Sequence, residues 1–291
     1  MEKIQKLPAV LGIGNALVDV INSLENDTVL EKFGLPRGSM TLVDAKLSKT
    51  IYETTYFDKR EITTGGSAAN TVHALANLGG NCGYLGKIGK DKLGEIFEKE
   101  FQRKNIKTHL FFSGKDTGRV MSLVSEDSER TMATYLGAAA DLKTDELQQE
   151  IFQNYSYLYI EGYLVQDHVL IETAIDMARK EGLKIAIDLS SFNVVEAHLE
   201  FLKKLVAEKV EIVFANEEEA LSFTGKQPEQ ALDEIAEMCE IAVVKIGKEG
   251  SFIKRGDEKV QIGTIRATAI DTTGAGDNFA AGFLFGLTKG F

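Results

Sequence analysis

From residue 157 onward, short apolar runs alternate with longer amphipathic stretches, the signature of βα units that build a mostly parallel sheet. The runs Tyr157 to Ile160, Lys184 to Leu189, Glu211 to Phe214 and Ala242 to Ile246 are nearly continuous in apolar residues. Strands buried on both faces have this pattern. Helices are expected between them. One has Asp167 as its N-cap, carries Val169, Leu170, Ala174 and Met177 near helical spacing, and stops at Gly182. Another runs from Ser67 to Leu78 and is ended by Gly79-Gly80, and a third places Leu93, Ile96, Phe97 and Phe101 on one face.

Ala16 to Val20, Ser39 to Val43 and Leu110 to Tyr135 have short alternating segments and few helical periods, which predicts a small accessory sheet. These strands come from separate stretches of chain, so they are expected to form a flap on the α/β body. The predicted division is 1–14, 45–107 and 138–291 for the body, with 15–44 and 108–137 for the flap. An exposed flap sheet could also supply a homodimer interface by covering its open face.

Composition narrows the function. The chain has 291 residues, 44% of them hydrophobic and 26% charged, which are ordinary values for a folded protein. With 44 acids against 33 bases the formal charge is -11, which opposes binding to nucleic acid or an anionic membrane, so a polyanionic ligand has to be met locally. Cys82 and Cys239 are too few for a zinc site or a disulfide framework and are expected as buried thiols. No basic segment leads into an apolar run at the start, and no stretch reaches about 18 apolar residues, which leaves a cytoplasmic location as the default.

The most informative segment is Asp271-Thr-Thr-Gly-Ala-Gly-Asp277, followed by the apolar, helix-compatible Asn278 to Leu287. A glycine turn entering a helix offers free backbone N–H groups at the positive end of the helix dipole, which suits phosphate or developing phosphoryl charge. Asp277 there is either a plain N-cap or a base that accepts the proton of an attacking hydroxyl, with Gly274, Ala275 and Gly276 stabilising the transferring group. Thr63-Thr-Gly-Gly-Ser-Ala-Ala-Asn70 again sets glycines before a helix. Gly65 and Gly66 would let a ligand approach the backbone, and Asn70 can donate to and accept from a hydroxyl.

Gly12-Ile-Gly14-Asn15 lacks the third glycine of a dinucleotide fingerprint, with Leu17 in its place, so a Rossmann cofactor site is rejected. Asn15 and Asp19 lie where the body passes into the flap, placed either to bind ligand hydroxyls or to make a turn. The Gly-Lys pairs lack the following Ser or Thr of a P-loop. Asn216-Glu-Glu-Glu219 follows a predicted strand at the end where open α/β sheets bind ligands; its acids suit hydrated Mg²⁺ or simply a helix start. His73, His109, His168 and His198 are scattered and none pairs at metal-ligand spacing.

Together these segments resemble the ribokinase-like, or PfkB, family of carbohydrate and nucleoside kinases over essentially the whole chain. Its C-terminal signature matches Asp271 to Asp277 and the following helix, and its N-terminal signature matches Gly65 to Asn70 and the glycines through Gly94. The resemblance implies an α/β fold with a central, mostly parallel sheet flanked by helices and a small β-sheet lid. It further implies phosphoryl transfer from ATP with Mg²⁺ to a sugar or nucleoside hydroxymethyl group. Asp277 is then the base and Gly274, Ala275 and Gly276 the anion hole, while Asn15, Asp19, Gly65, Gly66 and Asn70 match substrate-hydroxyl positions. Asn216 and Glu219 match the Asn-x-x-Glu motif acting on Mg²⁺ and phosphate through water, and Lys245, Gly247 and Gly250 lie in the loop that approaches the nucleotide.

Asp271 and Thr273 match part of a monovalent-cation site, which in relatives takes K⁺. Further ligands of that site, and helices that pack beside the nucleotide, usually follow the position of Phe291. Glu129-Arg130 with Tyr135-Leu-Gly-Ala-Ala-Ala140 looks more like adenosine kinases than ribokinases or fructokinases, which would bring Arg130 from the lid to the phosphates; the alternative is an Arg on an exposed strand. Alternatives are a ribokinase- or fructokinase-type sugar kinase, and a non-catalytic sugar or nucleoside sensor that keeps the fold and pocket.

Overall fold

The structure, a computed structural model, describes residues 9–55, 60–127, 129–265 and 272–291. In chain order the strands are β1 (Ala9–Ile13), β2 (Leu17–Ser23), β3 (Met40–Leu42), β4 (Glu61–Gly65), β5 (Asn81–Gly89), β6 (Lys107–Ser113) and β7 (Gly118–Val124). There follow β8 (Arg130–Tyr135), β9 (Tyr157–Glu161), β10 (Lys184–Asp188), β11 (Ile212–Asn216), β12 (Ile241–Lys245), β13 (Ser251–Arg255) and β14 (Glu258–Ile262). The helices are α1 (Thr28–Phe33), α2 (Ala45–Thr54), α3 (Ser67–Asn77), α4 (Lys92–Arg103) and α5 (His168–Lys180), then α6 (Phe192–Ala197), α7 (Leu199–Lys209), α8 (Glu217–Thr224), α9 (Pro228–Ala236) and α10 (Ala275–Lys289).

Among the described residues a nine-stranded sheet runs β14-β13-β12-β11-β10-β9-β1-β5-β6, parallel from β12 through β6, with β13 and β14 added antiparallel. Its central strands are buried on both faces, so alternate residues feed two cores. Leu158, Ile160, Ile185, Ile187, Val213 and Ala242 pack under α5 to α9. Tyr159, Ala186, Phe214 and Val243 pack with α3, α4 and α10 on the other side. Short, unbroken apolar runs at the sequence level correspond to this double burial.

The predicted helices form where expected. Asp167 caps α5 by accepting from the Leu170 N–H at 3.0 Å, and α3 ends as Gly79 turns to a φ of 81°. In α4 the predicted face buries Leu93, Phe97 and Phe101.

A second sheet, β3-β8-β7-β2-β4, has a covered and an open face. Val20, Met121, Leu123 and Ala133 pack with Leu30 of α1 and Ile51 of α2 on the covered face. On the open face one row reads Leu42, Thr134, Val120, Asp19 and Thr63 across the five strands.

The predicted division needs two corrections. β4 and α2, assigned to the body, belong with the second sheet, because β4 pairs with β2 from Gly65 to Glu61 and Ile51 enters that sheet's core. β6, assigned in most part to the flap, pairs with β5 at the edge of the large sheet. The two sheets are joined at Thr117, whose N–H and Oγ1 donate to Asp91 at the start of α4, both at 2.7 Å, while Oγ1 accepts from the Gly89 N–H at 2.9 Å.

Candidate active site

The large sheet changes winding direction between β9 and β1, and the crevice at such a switch, above the carboxyl ends of parallel strands, is where open α/β sheets hold ligands. Five neighbouring strands end there in polar residues: Lys245 on β12, Asn216 on β11, Asp188 on β10, Glu161 on β9, and Asn15 just past β1. The N-terminal ends of α3 and α10 meet over this row, since the two helices pack along each other through Ala68, Ala69, Val72, Ala280, Ala281 and Leu284.

Asp277 is the third residue of α10, and Gly274, at a φ of 70°, occupies the N-cap. The N-cap reading of Asp277 is therefore corrected. Its carboxylate points to α3 instead, where Oδ1 accepts from Ser67 Oγ at 2.8 Å and Oδ2 from Asn70 Nδ2 at 2.9 Å. Burial raises the Asp277 carboxyl above its usual range; the Asn70 and Ser67 bonds and the Lys245 charge oppose this, and the Asp188 charge adds to it. Two carboxylate oxygens provide about four acceptor sites, so room remains for a substrate proton.

The glycine turn is backed by charge. A methyl group at Gly276 would lie 3.2 Å from Lys245 Nζ. Lys245 in turn donates to Asp188 Oδ2 at 2.8 Å, and both side chains are largely buried. Burial alone would lower the Lys245 ammonium, but the Asp188 and Glu219 carboxylates overcome it and hold the pKa above the usual value. From the second sheet, Arg130 Nη1 donates to Thr273 Oγ1 at 2.6 Å, joining that sheet to the turn. Asp271 lies outside the described residues.

Asn15, Asp19, Gly65, Gly66 and Asn70 converge on the same crevice. A side chain at Gly66, whose φ is 100°, would strike the Asn15 carbonyl oxygen, and one at Gly65 would meet the Asp19 carboxylate at 2.6 to 2.8 Å. Burial and the Asp277 charge push Asp19 up to about 6, with Arg130 pulling it down.

Asn216 and Glu219 form a capping box: Glu219 accepts from the Asn216 N–H at 2.8 Å and from Nδ2 at 2.7 Å, and Asn216 Oδ1 accepts from the Glu219 N–H at 2.8 Å. Burial, then the Asp188 charge, raises Glu219 to about 7. Among the described residues no three metal-ligating side chains cluster. Asn216 and Glu219 would fit Mg²⁺ only as outer-shell partners, through water.

Gly247 lies beside Glu217 of α8. Gly250, at a φ of 103°, turns the chain from β12 into β13 and abuts the Ile262 carbonyl, a backbone requirement in its own right. Cys82 and Cys239 are free, and burial pushes both thiols up to about 12. His168 and His198, far apart in sequence, meet on the surface at 3.1 Å.

Sequence reasoning missed Glu161, Asp188 and the Ser67 hydroxyl. Asp188 and Ser67 lie in segments it had marked and Glu161 just past one, and the two acids end apolar strands where Asn216 and Lys245 end theirs.

A buried carboxylate facing a glycine turn at a helix start, with a lysine behind the turn, is the equipment of a phosphotransferase acting on an alcohol. Residues 38–290 match the pfkB family of carbohydrate kinases, and the chain belongs to that family. It is a sugar or nucleoside kinase that uses ATP.

The crystal structure of adenosine kinase from Sinorhizobium meliloti superposes with a TM-score of 0.86 at 36% identity, covering 98% of this chain and 88% of that one. An uncharacterized sugar kinase of Archaeoglobus fulgidus is 28% identical over 218 residues, 74% of this chain and 86% of the relative. A 5-dehydro-2-deoxygluconokinase of Geobacillus thermodenitrificans is 27% identical over 264 residues, 84% and 77% respectively.

Proposed function

We propose that the acceptor is a neutral nucleoside, adenosine or a close relative, and that its hydroxymethyl group receives the γ-phosphoryl group of MgATP. The observation that carries the proposal is the distribution of charge around the crevice. Among the described residues, the open face of the second sheet carries the carboxylate of Asp19 and, at its β4 edge opposite Ile21, that of Glu61, beside apolar Leu17, Ile21, Val120 and Met132. Of the nearby cations, Lys245 holds Asp188, and Arg130 reaches Thr273 at the turn while its charge acts on Asp19. A sugar acid or sugar phosphate would bring its anion against the carboxylates of Asp19 and Asp277, whose charge Arg130 and Lys245 offset only in part, whereas a ribose with an apolar base suits a wall that is polar at one end and apolar along the rest.

In this reading Asp277 accepts the hydroxyl proton as the oxygen attacks phosphorus, and the Gly274, Ala275 and Gly276 N–H groups meet the charge that develops. Arg130, Lys245 and the Gly247 to Gly250 loop lie on the nucleotide side. Asn216 and Glu219 orient the water shell of Mg²⁺, which neutralises phosphate charge when bound. Closure of the second sheet over the crevice excludes water from the phosphoryl donor. Potassium belongs to the same proposal, through Thr273 and Asp271.

The test is ADP release from MgATP with adenosine, other nucleosides, ribose, fructose and 2-keto-3-deoxygluconate, each with and without potassium. Adenosine is expected to give the highest kcat/KM and the sugar acid the lowest; the reverse order would overturn the neutral-acceptor reading. Asp277→Asn is expected to lower kcat by about 10² to 10⁴ with little change in acceptor affinity. Unchanged turnover would remove Asp277 from the chemistry, and ligand-induced stabilisation of the wild type without ADP release would mark a sensor.

A further inference from the structure

Glu161 is 1% exposed at the carboxyl end of β9, and the reaction just described gives it no step. Its Oε1 accepts from the Asn15 N–H at 2.8 Å and from Asn15 Nδ2 at 2.6 Å, and its Oε2 accepts from the Ala68 N–H at 2.9 Å. Gly14 passes so close that any side chain there would overlap the carboxylate, and the Tyr84 hydroxyl pins the Gly14 carbonyl from the other side at 2.9 Å. An acid in the interior is costly, and an apolar residue would be the cheaper filling.

The chemistry of the pair sets an orientation. An ionised carboxylate only accepts, so the Asn15 amide must turn its NH₂ inward, which leaves Oδ1 to accept from a ligand hydroxyl. The same carboxylate holds the first turn of α3, the helix whose Ser67 and Asn70 grip Asp277.

We propose that Glu161 is a positioning residue: it fixes the Asn15 amide as a hydroxyl acceptor and ties it to the start of α3, so that one side chain sets both recognition of an acceptor hydroxyl and alignment of the base. This rests on the reading that Asn15 meets an acceptor hydroxyl.

Glu161→Gln keeps the shape but has one accepting oxygen, and its NH₂ must confront an N–H of Asn15 or Ala68. The full chain would be assayed with MgATP and adenosine, 2′-deoxyadenosine or 3′-deoxyadenosine. With adenosine, kcat/KM is expected to fall about 10- to 100-fold, mostly through the adenosine KM, while the KM for MgATP moves less than about twofold. With the one deoxy analogue that lacks the hydroxyl met by Asn15, the loss should shrink to less than about threefold. An equal loss on all three acceptors, or no loss, would overturn the proposal.

Glu161→Ala gives a second reading, since added formate can refill the carboxylate site and should restore part of the adenosine activity; a mere packing defect gives no such rescue. If the wild type itself releases no ADP with adenosine, the kinase reading fails on its own account. The brace is then read by amide hydrogen exchange, in which Asn15 and Ala68 should exchange faster in Glu161→Gln while β10 is unchanged; equal protection at Asn15 and Ala68 would refute it.

Discussion

Burial, more than any neighbouring charge, raises Glu161 to about 7, with three N–H bonds opposing it and the Asp277 charge reinforcing it. An acid whose folded pKa exceeds its unfolded value binds protons more tightly when folded. Its contribution to stability is therefore greatest at low pH and is lost as pH rises from about 4.5 through 7, by about 3 kcal/mol for a shift of this size. Glu219, also raised to about 7, acts in the same direction. His109, lowered to about 4 by burial and then by Lys107, acts in the opposite one below its unfolded pKa.

In the proposed mechanism activity requires ionised Glu161 as well as ionised Asp277, so turnover should rise over the range in which Glu161 weakens the fold. Denaturant unfolding of wild type and Glu161→Gln between pH 5 and 7 checks this. The variant should lose less stability with rising pH, and identical slopes would show that Glu161 does not titrate there.

At the scale of elements, the start of α3 concentrates the constraints. Gly66 combines a left-handed φ with backbone contact against Asn15, so Gly66→Ala must shift α3, β2 or both. The expected outcome is a stability loss of about 1 to 3 kcal/mol by thermal or denaturant unfolding, with a larger proportional loss of kcat/KM. Gly79→Ala at the other end of the same helix, also at positive φ but with open space around it, separates backbone strain from damage to the crevice.

Much of this was legible in sequence. Asp277, Gly274 to Gly276, Gly65, Gly66 and Asn70 lie in compact motifs, and the apolar runs of β9 to β12 mark strands because both faces are buried. β4 was not legible, because Glu61-Ile-Thr-Thr-Gly65 is short, half polar and pairs with a strand about 40 residues away. Glu161 and Asp188 were passed over for a related reason. A single acid closing an apolar run has no local pattern, and its meaning appears only when the neighbouring strands are laid beside it.

At the scale of the molecule, the open face of the second sheet sets the outstanding question of assembly. Met40 and Leu42 are 46% and 58% exposed on that face, in the same rows as Met132 and Asp19. A homodimer that covers this face predicts a mass that rises with concentration in sedimentation and that Leu42→Glu returns to the monomer value. A monomer at every concentration would leave the face to the acceptor alone, and Leu42→Glu would then leave the mass unchanged.

The bonds from Ser67 and Asn70 to Asp277 span 210 and 207 positions of the chain. Nearly all of the large sheet is threaded between the two sides of this contact, so during synthesis Ser67 and Asn70 emerge long before the carboxylate they hold. Contacts of such sequence separation close late. A nascent chain that has released everything before α10 has Ser67 and Asn70 in hand but no carboxylate for them to hold, so in the proposed mechanism phosphoryl transfer waits for α10 to dock on α3.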